Sequence, residues 1–330
     1  MFLTYARRAV VVTALFAISG CFAGGSAAPP AGSSLAPNVV HAGVPFATLL
    51  GGSARGLVRS IHPNYATNKS LLFESDQTDV AINVYQTADL AKNPSPIASI
   101  AVHAGCPYGA AVDKKGTIYV ADNCSGNDVE EFAKGSTTLK TAITDGISNP
   151  LGAAIDSKGT LYVSNYPGAI TEYAFGTTTP SQTISGQGLT DPFGLSVDKS
   201  NNLYIADFGA NAVFELKYGS TTLTNLGLQD CDEPLGTAVD EKHGNLWVTC
   251  GEGDTIEVYK LGSTSPSQTI AGNDFPYAIA LENKGKPKDE VVESDIDTHS
   301  VYAYAPGTYT PYATLTNGVS TPTGLLITKP

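Results

Sequence analysis

Residues 107–122 read PYGAAVDKKGTIYVAD, and the same phrase returns along the chain. It recurs as PLGAAIDSKGTLYVSN at 150–165, as PFGLSVDKSNNLYIAD at 192–207 and as PLGTAVDEKHGNLWVTC at 234–250, with a looser copy from Pro276. The first prolines of these copies are 43, 42, 42 and 42 residues apart. Four nearly equal steps indicate a structural repeat.

Each repeat alternates apolar and polar residues with a period of two, which indicates β-strands rather than helices. Short turn segments such as KKG, SKG and KHG separate the strands. We read an inner strand A after the proline, then strands B and C and a weaker strand D. Four antiparallel strands in about 42 residues are typical of a propeller blade. The sequence therefore predicts an all-β fold, a single six-bladed β-propeller of four-stranded antiparallel blades over residues 44–330.

The two ends of the chain together supply one further blade. Three segments fit its strands B, C and D: LLFESD (71–76), INVY (82–85) and IASIAV (97–102). Its strand A is either PTGLLI (322–327), which would close the ring with the C-terminus, or GLVRSI (56–61). Seven blades, with a partial closing blade, are the alternative, because VPFATLLGG at 44–52 resembles TPYATLTNG at 310–318.

The repeat pattern, P-x-G-x-A-x-D-x-x-G-x-L-Y-V-x-D, resembles the NHL-repeat family of β-propellers, with six-bladed gluconolactonase-like and TolB-like relatives. The resemblance extends from about residue 44 to residue 330. It implies the fold, but that family includes binding modules, sensor ectodomains, lyases and lactonase relatives. Function therefore has to be argued from the site.

The N-terminal segment predicts export. Residues 1–20 form a signal peptide, with two arginines followed by an apolar run too short for a stable membrane anchor. The run ends in ISGC (18–21), which resembles the lipobox of bacterial lipoproteins and implies lipidation of Cys21; an ordinary secretory peptide cut near Ala28 is the alternative. Residues 21–43, rich in Gly, Ser, Pro and Ala, predict a flexible tether. We expect a protein of the bacterial cell envelope, lipid-anchored at Cys21, or a secreted one.

The charge of the chain excludes one class of partner. The full chain has a net charge of −12, and removing residues 1–20 leaves 17 basic and 31 acidic residues, a net charge of −14. Such a balance repels the phosphate backbone, so we expect no nucleic-acid partner. We expect a monomer that contacts the membrane only through its lipid.

Four cysteines occupy nearly equivalent places in two repeats: Cys106 and Cys124 in one, Cys231 and Cys250 in the other. The start of strand A lies beside the end of strand B in an antiparallel hairpin, so strand pairing brings each pair together. An exported compartment favours oxidation. A zinc site would need tighter spacing and accompanying histidines. We predict the disulfides Cys106–Cys124 and Cys231–Cys250.

The residue after each blade proline is expected to point toward the propeller axis. These residues are Tyr108, Leu151, Phe193, Leu235, Tyr277 and Thr323. They either plug a narrow channel or line an apolar, aromatic cup suited to a small ring-bearing or cationic ligand. A protein partner is the other candidate for this mouth.

The loops D–A and B–C share one face, which we call the top face. Fifteen acidic residues between Asp76 and Asp297 fall in or beside these loops, whereas no lysine or arginine does. Asn149, Asp191 and Glu233 directly precede three successive blade prolines at the mouth of the channel. Oxygen ligands in this arrangement suit a hard cation, so these three are candidate ligands for a divalent metal such as calcium. The sequence requires no other cofactor.

The catalytic residues of related enzymes are missing at the matching positions. Gluconolactonase-like relatives hold a divalent metal near the inner-strand starts, often with P-D-G, but the triplets here are PYG, PLG, PFG, PLG, PYA and PTG. Amidating-lyase relatives need several histidines around the axis; this chain has five, and no two share a repeat position. We therefore predict a binding or interaction module acting through its acidic top face, and assign no catalytic residue. A metal-dependent hydrolase or lyase using the same mouth is the alternative.

Overall fold

The computed structural model describes residues 65, 68–103, 105–124, 126–271, 274–282, 290–305 and 310–328. Within them the chain forms six four-stranded antiparallel sheets, the blades of a β-propeller, and one short 3-10 helix, Thr87–Lys92. The predicted all-β, six-bladed architecture is confirmed. The signal peptide, Cys21, the tether and the segments 44–52 and 56–61 lie outside the described residues, so the predictions made for them stay predictions.

The strands follow the blades in chain order. Blade 1 contains β1 (Leu71–Asp76), β2 (Ala81–Gln86) and β3 (Ala98–Ala101). Blade 2 contains β4 (Pro107–Val112), β5 (Ile118–Asp122), β6 (Asp128–Phe132) and β7 (Leu139–Ile143). Blade 3 contains β8 (Pro150–Ile155), β9 (Leu161–Asn165), β10 (Ala169–Tyr173) and β11 (Gln182–Ser185). Blade 4 contains β12 (Pro192–Val197), β13 (Leu203–Asp207), β14 (Ala212–Leu216) and β15 (Leu223–Asn225). Blade 5 contains β16 (Pro234–Asp240), β17 (Asn245–Cys250), β18 (Thr255–Lys260) and β19 (Pro266–Ala271). Blade 6 contains β20 (Pro276–Glu282), β21 (Glu290–Asp295), β22 (Ser300–Tyr304) and β23 (Pro311–Leu315). The last strand, β24 (Pro322–Thr328), returns to blade 1.

The ring is closed by the C-terminal strand. β24 pairs antiparallel with β1, from Leu71 opposite Thr328 to Asp76 opposite Pro322. Of the two segments considered for this inner strand, 322–327 therefore fills the place. Closure leaves β24 without an open edge on that side, which removes a site for unwanted strand pairing.

The proline-x-glycine motif reflects how closely the inner strands pack. A Cβ on Gly152 would lie 2.2 Å from the carbonyl oxygen of Phe193 in the next blade. A Cβ on Gly324 would lie 2.1 Å from the carbonyl oxygen of Tyr108. Real Cβ atoms do not approach a backbone oxygen this closely, so glycine lets neighbouring blades converge at the axis.

In three blades a tyrosine on strand C ties the blade to the loop that enters it. Their side chains are almost fully buried, and each hydroxyl donates to a backbone carbonyl of loop D–A. The pairs are Tyr85 with Asn317 (3.0 Å), Tyr173 with Asp145 (2.6 Å) and Tyr259 with Gln229 (2.6 Å). This contact holds the loops of the top face against the blades. Among the described residues, none of the helices has the length and apolar character needed to cross a membrane.

Candidate functional site: the axial mouth of the top face

Carboxylates at the ends of strand B organise the loops of the top face. Asp295 accepts hydrogen bonds from the backbone N–H groups of Asp274, Phe275, Asp297 and Thr298, at 2.8–3.2 Å. Because one buried side chain binds both the loop entering the blade and the loop leaving strand B, it fixes their relative positions. The other side chains at this place are Asp76, Asp122, Asn165 and Asp207.

Blade 5 has a disulfide where the other blades have this side chain. Cys250 lies opposite Pro234, just as Asp122 lies opposite Pro107. It is bonded to Cys231, with the two Cα atoms 5.2 Å apart.

Blade 2 has both the strand B carboxylate, Asp122, and a disulfide: Cys106 is bonded to Cys124, with Cα atoms 5.1 Å apart. Both predicted pairs are confirmed. Two disulfides in one chain favour an oxidising, extracellular environment.

The six residues after the blade prolines meet at the axis and are buried. Tyr108, Leu151, Phe193, Leu235 and Tyr277 belong to one apolar cluster. The ring of Phe193 lies 6.4 Å from that of Tyr108 and 5.9 Å from that of Tyr277, both edge to face. The sixth residue, Thr323, donates its hydroxyl to the carbonyl oxygen of Pro107 at 2.6 Å. These contacts give the six a structural role as a plug; their assignment to ligand binding stays a prediction.

The channel below the plug is narrow at first and then widens. A cavity of about 60 Å³ lies among the inner strands next to the plug, large enough for a few water molecules. Toward the opposite face a second cavity of about 270 Å³ is lined mostly by apolar residues. They include Val112, Ile155, Val197, Val239, Leu281 and Ile327, near the ends of the inner strands. The wider cavity therefore lies at the end of the inner strands away from the plug.

Buried polar atoms without partners collect beside the plug. Within the described part of the chain, Oδ1 of Asp191, the hydroxyl of Tyr277 and Nε2 of Gln77 have no hydrogen-bond partner. The side chain of Gln77 lies beside the Tyr108 phenol. Buried polar groups in folded proteins are nearly always paired, so three unpaired atoms beside the plug make this place a candidate for binding a polar group.

Electrostatic effects show that these groups are neighbours. Burial, and secondarily Asp207, raises the pKa of Asp191 to about 7. Burial raises the pKa of Tyr108 to about 12, and the Asp191 carboxylate adds to that rise. The pKa of Tyr277 is raised by burial, then by Tyr108 and Asp191. The Asp191 carboxyl therefore lies within electrostatic range of both phenols.

The two other residues of the predicted metal site have a backbone role. Asn149 and Glu233 adopt left-handed conformations with φ of 45° and 54°. The N–H of Glu233 donates to Oδ1 of Asn211 at 2.7 Å, and that of Asn149 donates to Asn127. Their carbonyl oxygens, like that of Asp191, accept an N–H from the loop after strand B. The structure thus places the three at equivalent turns, and a shared metal stays a prediction.

One group of acids with metal-ligand spacing lies in blade 2 instead. Among the described residues, Asp122, Asp128 and Glu130 each offer a ligand atom, and these atoms lie within 4.8 Å of one another. Asp122 ends β5, Asp128 begins β6, and Glu130 follows two residues later on the same side of the strand.

Comparisons with known proteins show the fold and no more. No family model matches the chain, and no curated protein matches it. A chain of the crystal structure of a nidogen/laminin complex superposes with a TM-score of 0.66 at 19% identity, over 78% of this chain and 98% of that one. A protein of unknown function from Bacteroides caccae superposes with a TM-score of 0.62 at 12% identity, over 79% of this chain and all of the other. These likenesses support a β-propeller, while membership of the NHL-repeat family stays a prediction.

Sequence reasoning found part of the polar cluster at the axis. It singled out Tyr108, Asp191 and Tyr277, which the structure brings together, but it missed Gln77. Gln77 directly follows β1 and reaches the axis only because β24 closes blade 1, with its N–H donating to the carbonyl oxygen of Thr321. The sequence did contain one signal for Gln77: it directly follows Asp76, the carboxylate that ends strand B of the closing blade.

Proposed function

We propose that this protein is an exported, lipid-anchored binding module whose ligand docks at the axial mouth of the top face. The observation that supports it is the cluster of unpaired polar atoms on Asp191, Tyr277 and Gln77 beside the packed aromatic rings. A ligand group that enters there would pair these atoms and displace the rings from one another.

The chemistry of the mouth favours a small cationic or ring-bearing ligand, or a cationic side chain of a partner protein. A carboxylate beside aromatic faces binds an organic cation through charge and cation–π attraction. Exposed acids around the mouth would raise the local concentration of such a ligand. The exposed acids of the top loops are Asp79, Asp145, Asp230, Asp232, Glu252, Asp274 and Asp297.

The hydrolase or lyase alternative is less favoured. Three carboxylates with metal-ligand spacing do occur in the described residues, but on the second and third strands of blade 2 rather than at the inner-strand starts. We therefore place no catalytic step at the axis.

Binding of benzyltrimethylammonium, measured by ligand-observed NMR and calorimetry, tests this proposal. We expect the parent protein to bind it, and benzenesulfonate, an anion with the same ring, to bind much more weakly. Asp191→Asn keeps the shape and removes the charge, so affinity for the cation should fall about tenfold or more. Asp145→Asn removes an exposed charge from the same face and is the matched control. Equal binding of both probes, or equal affinity in the parent and Asp191→Asn, would contradict the proposal.

A further inference from the structure

We propose that Asp122, Asp128 and Glu130 form a calcium site at the top of blade 2, separate from the axial mouth. Asp122 and Asp128 are directly opposite each other where β5 and β6 are joined. Side chains two residues apart on a strand share a face, so Glu130 is on the same side as Asp128. The three carboxylates can therefore share one ion.

The hydrogen bonding of the cluster is incomplete in a way that a cation would complete. Glu130 has no exposed surface; its Oε1 accepts the backbone N–H of His103 at 2.7 Å. Its Oε2 and the Oδ1 of Asp128 are buried and have no partner among the described residues. Carboxylate oxygens accept hydrogen bonds but donate none when ionised, so these two cannot pair with each other. A metal ion supplies the missing partner for both.

The charge of the cluster also calls for a cation. Three carboxylates meet there, and the nearby basic group is the His103 imidazole, whose Nδ1 lies 3.5 Å from Oε1 of Glu130. The His103 side chain is two-thirds exposed and points into solvent on one side. His103 therefore offsets the repulsion among the three carboxylates only in part.

The ligand set fits calcium among the common divalent ions. All three donors are carboxylates, and hard oxygen ligands favour calcium or magnesium over zinc. Calcium–oxygen distances of about 2.3–2.6 Å place opposite ligands about 4.6–5.2 Å apart, which accommodates oxygens within 4.8 Å of one another. Asp128 is partly exposed, which leaves a solvent side where water completes the coordination sphere. Sites in extracellular modules bind calcium with Kd of about 10⁻⁴–10⁻³ M, and we expect this range.

The other blades show that the cluster is not part of the repeat. At the three corresponding places blade 4 has Asp207, Ala212 and Phe214, and blade 6 has Asp295, Ser300 and Tyr302. Each retains the strand B carboxylate that binds the loops and lacks the two further acids. A structural requirement common to all blades therefore does not explain Asp128 and Glu130.

The site adjoins the disulfide of the same blade. Oδ1 of Asp122 accepts the N–H of Cys106 at 2.9 Å, and Cys106 is bonded to Cys124. A bound ion would hold the start of β6 to the end of β5 and thereby fix this loop of the top face. Calcium would then stabilise the folded state in proportion to its occupancy.

Calcium chloride titration by calorimetry, together with thermal unfolding with and without 5 mM calcium at pH 7.5, tests the site. We expect one calcium per chain and a higher Tm for the parent. Glu130→Gln and Asp128→Asn should each lose about tenfold or more in calcium affinity. Glu257→Gln is the matched control, because Glu257 occupies the Glu130 position in blade 5 and pairs with Thr269 instead. Its affinity should equal that of the parent.

Three outcomes would overturn the proposal. The first is a parent protein that shows neither heat nor a Tm shift with calcium. The second is equal affinity in the parent and in Asp128→Asn, whose part-exposed position makes misfolding a minor concern. The third is magnesium chloride binding as tightly as calcium, which would indicate a site of different geometry.

Discussion

The hydroxyl of Ser164 donates a hydrogen bond to the carbonyl oxygen of Phe193, 2.6 Å away, across the boundary between blades 3 and 4. Thr249 makes the same contact with the carbonyl oxygen of Tyr277 at 2.7 Å, between blades 5 and 6. Both hydroxyls are on strand B, one residue before its end, and both acceptors belong to residues of the axial plug. Strand B of one blade thus positions the aromatic side chain of the next.

Removing these hydroxyls should destabilise the propeller. Ser164→Ala or Thr249→Ala leaves a buried carbonyl without its partner, which costs about 1–3 kcal/mol. Urea unfolding followed by tryptophan fluorescence measures the change. Ser181→Ala is the control, since the Ser181 hydroxyl pairs with a carbonyl at the exposed edge of blade 3. An unchanged unfolding midpoint in both buried variants would contradict this role.

The disulfide of blade 5 should be partly replaceable by a carboxylate. The double variant Cys231→Ser/Cys250→Ser should lose about 2–4 kcal/mol of unfolding free energy. Cys231→Ser/Cys250→Asp should lose less, because aspartate at the corresponding place in other blades accepts N–H groups of the entering loop, as Asp207 does for Thr190 and Asp191.

Chemical denaturation of the two double variants gives this comparison directly. If the aspartate variant is no more stable than the serine variant, the equivalence of Cys250 with the strand B carboxylates is wrong.

The repeat was sufficient to predict the architecture, because the residues that shape each blade recur at fixed positions in it. The proline marks the inner strand, the following glycine permits the close approach to Phe193 or Tyr108, and the cysteines fall where strands A and B begin and end. The pattern left two segments, 322–327 and 56–61, for the inner strand of the closing blade, and the pairing of β24 with β1 decides for 322–327.

The polar clusters could not be predicted because they depend on departures from the repeat. Gln77 joins Tyr108 only through ring closure, and no spacing along the chain reports that contact. The cluster at Asp128 and Glu130 requires knowing the exact register of β5 against β6. The burial of Asp191 depends on how loops of two blades pack, which a single repeat does not specify.

Replacing Cys21 should release the protein from membranes. Cys21→Ala removes the thiol that the lipobox-like ISGC segment implies is lipidated. After expression in a bacterial host, we expect the parent in the detergent phase of a Triton X-114 partition and the variant in the aqueous phase. Cys106→Ala/Cys124→Ala is the control for loss of cysteine in general, and it should stay in the detergent phase. A parent that partitions into the aqueous phase would favour the secreted alternative.

Stability should fall as pH rises from about 4 to about 7. Burial, followed by the neighbouring Asp122 carboxylate, raises the pKa of Asp128 to about 6, and burial is also the main cause that raises the pKa of Glu130 to about 7. The pKa of Asp191 is raised to about 7, again mainly by burial. Unfolded carboxyls titrate near 4, so between these values the folded state holds more protons than the unfolded state. Raising the pH through this window therefore favours unfolding.

Urea unfolding between pH 4.5 and 8, in EDTA, measures this dependence. The decrease in unfolding free energy with rising pH should be smaller in Asp191→Asn and in Glu130→Gln, because each variant removes one of the carboxyls that must ionise inside the fold. Asp145→Asn, which alters an exposed carboxyl, should keep the parental profile. Calcium should weaken the decrease in the parent but not in Glu130→Gln, because a bound cation favours the ionised carboxylates of blade 2. A parental stability that rises with pH across this window would contradict the burial of these acids.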